Sequence, residues 1–101
     1  TSEINQIYRE VLGRDADVDG LKTWSDRLER SNLRKVRREI AQSDEAASVL
    51  NRLYQEVLGR SVDRSGLKTY RKNLTRNWTL SDVRRDIEGS EEAMKKRLAL
   101  L

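Results

Sequence analysis

The sequence predicts an all-α domain of about seven helices, arranged as two pseudo-symmetric repeats that share a central helix. Three observations carry this prediction. Apolar residues recur at intervals of three and four, and no stretch alternates with period two for long. A block of sequence returns 46 residues later, as Ile7-Tyr8-Arg9-Glu10-Val11-Leu12-Gly13-Arg14 and then Leu53-Tyr54-Gln55-Glu56-Val57-Leu58-Gly59-Arg60. No Asn-Gly or Asp-Gly pair joins two apolar runs in the manner of a β-hairpin.

Each element has its own reason. In the first helix Ile4, Ile7, Tyr8, Val11 and Leu12 fall on one face, with Ser2 as N-cap, Glu3 beside it and Gly13 at the stop. The second carries Leu21, Trp24 and Leu28, with Asp17 placed to cap it. The third carries Leu33, Val36 and Ile40. Ser43-Asp44-Glu45 restarts a helix as an N-cap followed by acids, where the helix dipole favours them. That fourth helix holds Val49, Leu50, Leu53, Tyr54, Val57 and Leu58, so it closes the first repeat and opens the second.

The second repeat follows the first in register. Asp17, Gly20, Leu21, Lys22 and Thr23 return as Asp63, Gly66, Leu67, Lys68 and Thr69, and Trp24 returns as Tyr70. Leu33, Val36, Arg37, Arg38 and Ile40 return as Leu80, Val83, Arg84, Arg85 and Ile87, now offset by 47. One residue has therefore been added near Asn77–Thr79. The repeats run over about 3–46 and 49–93 of a single domain, 1–101, with a C-terminal helix over 90–101 that reads as the start of a third unit. In that helix Lys96 and Arg97 stand where Val49 and Leu50 stood, so it is the less apolar copy.

Composition narrows the chemistry. Of 101 residues, 38% are charged, 21 basic against 17 acidic, for a net charge of +4. Leu, Ile and Val make up roughly a quarter of the chain, enough for a lean core. The absence of Cys removes thiolate chemistry, disulfides and thiolate metal sites, and leaves the redox compartment open. The absence of His removes the imidazole base. No apolar run is long enough to span a bilayer. The acids sit at helix starts or on charged faces, with no apolar pocket to raise a carboxyl, so the expectation is no enzyme and no cofactor. Thr1 at the start suggests a fragment of a longer chain.

The signature Tyr8-x-x-Val11-Leu12-Gly13-Arg14-x-x-Asp17-x-x-Gly20-Leu21-x-x-Trp24, followed by an amphipathic helix and Ser43-x-Glu45, resembles the bacterial family called domain of unknown function 4214. The second copy matches through Tyr54, Leu58, Gly59, Arg60, Asp63, Gly66, Leu67, Tyr70 and Ser90-Glu91-Glu92. A fainter likeness is to the linker domains of phycobilisomes. The resemblance implies a tandem helical module in a secreted or surface bacterial protein, with a binding or assembly role. This chain departs from the usual pattern in its lack of Phe and its basic balance.

Several residues are candidates for binding. Arg34, Lys35, Arg37 and Arg38 place cations on the solvent side of the third helix, and Arg84 and Arg85 on that of the sixth. Such faces meet an acidic protein, an acidic polysaccharide or phosphates, or else are simply solvated beside Glu39, Asp82 and Asp86. Trp78 lies in the loop with the extra residue, where it can stack on a sugar, anchor a protein contact, or pack over the helix junction. The other aromatics read as core. Asp15, Asp17 and Asp19, with Gly20 following and Asp26 at position twelve, copy the spacing of a calcium loop. The competing reading is that Asp17 caps the next helix. Gly13-Arg14 and Gly59-Arg60 read as helix stops whose Arg bonds free carbonyls or a nearby acid.

Together these point to a non-catalytic module that recognises a partner protein or a cell-surface polysaccharide. The alternatives are a nucleic-acid-binding basic domain and a calcium-stabilised spacer. No aromatic platform is interleaved with the charges, which argues against nucleic acid.

Overall fold

A computed structural model describes residues 2–28 and 32–100, with the side chain of Ser2 left out. Among the described residues there are seven helices and no strand. They are α1 (Ser2–Leu12), α2 (Val18–Leu28), α3 (Leu33–Ala41), α4 (Asp44–Leu58), α5 (Arg64–Thr75), α6 (Leu80–Glu88) and α7 (Glu91–Ala99). The all-α expectation holds. The cap expected of Ser2 lies outside the described residues.

Local chemistry sets most of the boundaries. Ser43 accepts from the Ala46 amide at 3.1 Å and Ser90 from the Ala93 amide at 3.2 Å, each opening a helix with acids in its first turn. Asp63 accepts from the Gly66 amide at 2.7 Å, and Asp17 from the Gly20 amide at 2.6 Å. Thr79 and Asp82 form a reciprocal capping box at the start of α6. Each such cap stabilises a helix by about 1 kcal/mol. At its other end, α4 stops on Gly59, which takes φ 69° in the left-handed region where a side chain would be strained.

The helices form an elongated body of 53 × 21 × 18 Å. α4 touches α1, α5, α6 and α7, while α3 packs on both α1 and α5. The apolar stripes meet in a narrow core. Ile4, Val11, Val36, Ile40, Leu50, Leu74, Val83 and Ile87 are sealed in it. Burial of each such side chain contributes about 1.5–3 kcal/mol. Tyr8, Tyr54 and Tyr70 are buried at its edge, and Trp24 is half-buried with its indole N–H donated to the Tyr8 hydroxyl at 2.9 Å. Tyr54 and Tyr70 meet edge to face with ring centres 6.2 Å apart.

Leu33 departs from expectation. It starts α3 on the periodic face but is 38% exposed, whereas Val36 and Ile40 on the same face are sealed.

The residues of the repeated signature make the same contacts twice. Arg14 lies over the Tyr8 ring at 5.2 Å and donates two hydrogen bonds to Glu45, at 2.6 and 2.8 Å. Arg60 lies over Tyr54 at 5.1 Å and grips Glu92 at the same two distances. Asn5 accepts from the Ala16 amide as Asn51 does from that of Val62. A Cβ added at Gly20 would sit 2.6 Å from the Tyr8 hydroxyl, and one at Gly66 would overlap that of Tyr54 still more. The signature is thus a joint that fixes the loop after α1 to the start of α4 and the loop after α4 to the start of α7.

Candidate functional site

The basic candidates separate into three kinds. Arg37 does not face solvent. It is 7% exposed, because α5 and the chain that follows it lie across α3. Its guanidinium donates to the Leu74 carbonyl at 2.6 Å, the Trp78 carbonyl at 2.7 Å and Glu10 at 2.6 Å. These carbonyls end α5 and its loop, so Arg37 ties α3 to α5 and is a structural residue. Arg84 pairs with Glu56, and Arg85 with Asp82 on its own helix. Their charge is largely answered within the chain.

Arg34, Lys35 and Arg38 form the third kind. All three are exposed, and no side-chain ion pair engages them among the described residues. Together with Asn32, Thr75 and Arg76 they line a recess of about 280 Å³ between the start of α3 and the end of α5. Among the described residues, four cations and no carboxylate line it. Arg76, also unpaired, was only one basic residue among many in the sequence. The fold adds it to the cluster by packing α5 on α3.

A larger groove of about 920 Å³ adjoins the recess and shares Arg34, Thr75 and Arg76 with it. Glu3, Ile7 and Glu10 of α1 form its far wall, and Leu33 stands at its near edge. Partial burial works to raise the Glu10 carboxyl, but hydrogen bonds from Arg37 and Gln6 outweigh it and hold the group below the usual glutamate range. Glu10 is therefore anionic at neutral pH. Sequence reasoning missed this groove, since its walls come from three separate elements.

Trp78 is half-buried and packs against the core, while its carbonyl serves Arg37. It does not line either recess. Its neighbour Asn77 does line the groove and takes φ 76°. Asn tolerates that left-handed conformation better than other side chains. The residue added to the second repeat falls at this turn.

The calcium-loop geometry is not formed. α2 begins at Val18, so Asp19 and Asp26 lie along a helix instead of a loop wrapped around an ion. Asp15 pairs with Arg9, and Asp17 caps α2 through Gly20. Among the described residues no group of three acidic side chains gathers that could hold a metal ion. No helix among them is long and apolar enough to cross a membrane.

These features define a helical module with one cation-lined recess. Comparison with protein families, with curated proteins and with solved structures found no match.

Proposed function

We propose that the chain is a non-catalytic recognition module, of the kind its resemblance to the domain of unknown function 4214 family implies, in a secreted or surface bacterial protein. It binds an acidic partner, a protein or a cell-surface polysaccharide, through Arg34, Lys35, Arg38 and Arg76. The observation that carries this reading is the cluster of four cations around one recess with no acid lining it among the described residues. Arg14, Arg60 and Arg84, by contrast, are each paired with a glutamate. Unpaired like charges repel one another and destabilise a fold, so a cluster of this kind suits an anionic ligand.

Hydrogen bonds from Arg14 and Arg60 hold Glu45 and Glu92 below their ordinary range. A general acid needs a raised carboxyl instead.

The test is titration of polygalacturonate and of poly-L-glutamate, followed by Trp fluorescence at low salt. The triple change Arg34→Glu, Lys35→Glu and Arg38→Glu is expected to weaken binding at least about tenfold. A control triple, Lys22→Glu, Arg52→Glu and Lys68→Glu, alters net charge equally at exposed positions away from the recess. Equal losses in both triples would reduce the site to bulk charge. Tighter capture of duplex DNA than of either polymer, with a steep salt dependence, would replace the reading with nucleic-acid binding.

A further inference from the structure

α3 and α6 are the same helix of the two sequence repeats, but only α3 carries a helix of the following unit. α5 lies on it, and Arg37 fastens the joint by donating to the Leu74 carbonyl at 2.6 Å while it also holds Glu10. In the second repeat half of that fastening is already made. Arg84 holds Glu56, the counterpart of Glu10, and its remaining N–H groups meet no acceptor among the described residues.

The matching half lies at the other end of the molecule. α5 packs on α3 and α4, and its Tyr70 and Leu74 are buried. α2 is the counterpart of α5. It packs on α1 and on α3 of its own unit, and among the described residues the contact that α5 makes with the unit before it has no equivalent there. Trp24 and Leu28, which answer to Tyr70 and Leu74, are accordingly only half-buried, as is Ser25 beside them, and no residue of α2 is buried.

The chain thus carries two unlike half-joints, the outer side of α6 and the outer side of α2, whose counterparts fit each other inside the same molecule. We infer that a second copy of this chain docks head to tail, its α2 seated on α6 and its Leu28 carbonyl accepting from Arg84, as α5 sits on α3. Such a contact is heterologous, so it can pass from copy to copy.

The outer joint is weaker than the inner one for two reasons. Glu88 stands where Ala41 is sealed, and Ser25 stands where Arg71 donates to the carbonyls of Gln42 and Ser43. The end of α7 must also yield. By the repeat, α7 answers to 44–52 of α4 and α1 to 48–58, so the second copy's α1 takes the place of the last turn of α7. Residues 94–100 are all exposed, and the bonds given up are those of Lys96 to the Leu58 carbonyl and of Arg97 to the Glu88 carbonyl. A helix end held so lightly opens at small cost.

Sedimentation velocity of the whole chain, from about 10 μM to about 1 mM, tests the inference. The average mass should rise with concentration to at least that of a dimer. Arg84→Glu spoils one half-joint. Ser25→Glu spoils the other by setting a second carboxylate against Glu88. Each variant alone should stay monomeric. Mixed in equal amounts they should regain one sound joint, α6 of the Ser25→Glu chain with α2 of the Arg84→Glu chain, and stop at a dimer. Ser25→Arg, which supplies the contact Arg71 makes in the inner joint, should tighten association at least about fivefold. Circular dichroism confirms that each variant folds, and Arg84→Ser replaces Arg84→Glu if the latter does not. A wild-type chain that stays monomeric throughout overturns the inference. So does association that either single variant leaves intact, or a mixture that stays monomeric. None of these residues lines the cation recess, so the recognition reading is untouched by the outcome.

Discussion

Arg37 and Arg84 hold the same place in the two repeats but lead different lives. The Arg37 side chain is 8% exposed and joins three acceptors across two helices, whereas the Arg84 side chain is 41% exposed and meets Glu56 alone. α5 lies over α3, whereas α6 packs against α1, α4 and α7, and none of them supplies a backbone carbonyl to Arg84 among the described residues. The adjoining positions diverge as well. Arg34, Lys35 and Arg38 correspond to Ser81, Asp82 and Arg85, and in the second repeat Asp82 caps its helix and pairs with Arg85. The comparison teaches that a neighbouring element, more than the residue type, decides whether an arginine is scaffold or surface. It also places three of the four unanswered charges, Arg34, Lys35 and Arg38, on the first repeat.

The sharpest way to break this comparison is to remove each arginine. Arg37→Met leaves two carbonyls and Glu10 without their donor and should cost about 2–4 kcal/mol. Arg84→Met should cost less than about 1 kcal/mol, since its pair is half in water. Urea unfolding measures both, and equal losses would refute the distinction. A second change probes what the repeats share. Gly66→Ala drives a methyl into the Tyr54 hydroxyl and should cost about 1–3 kcal/mol, most of it recovered when Tyr54→Phe is added. Failure of that rescue would show that the Tyr54 ring or the Asp63 carboxylate, each 2.9 Å from the added carbon, sets the limit instead of the hydroxyl.

The smallest effect comes from acid. Glu45 and Glu92 are held below the ordinary glutamate value of 4.5 by Arg14 and Arg60. A lowered folded value contributes stability above that pH and loses it as the pH falls through the folded value. The melting temperature should therefore drop by a few degrees on going from pH 6 to pH 3, beyond what other carboxylates cause. Arg14→Gln and Arg60→Gln should each flatten that slope, and by similar amounts, because the two grips share one geometry. A much larger effect at one of them would show that the repeats are not equivalent there.

The helices were legible because their signals are local. Ser43 and Ser90 announce themselves as caps, Gly59 as a stop, and Val36 and Ile40 as a buried face. The site was legible only in part. Arg34, Lys35 and Arg38 could be read as an exposed basic run, whereas Arg37 falls at i+4 from Leu33, on the same face as Val36 and Ile40, a signal that its charge concealed. What separates Arg37 is α5, whose carbonyls approach from 37 and 41 residues downstream. Arg76 joins the recess by the same long-range packing. Asp15, Asp17, Asp19 and Asp26 mislead for a related reason. Alternate acids suit a metal loop and a helix start alike, and the dipole and cap at Asp17 decide for the helix.

α4 finishes one half of the molecule and begins the other, in contact with α1 on one flank and α5, α6 and α7 on the other. Loss of α4 would uncover the faces of all four helices that touch it. A protease cut within 44–58 would therefore not release a working fragment but dissolve both ends at once, and the recess would vanish with them. The molecule keeps its grip on a partner only as long as this one shared rod is whole.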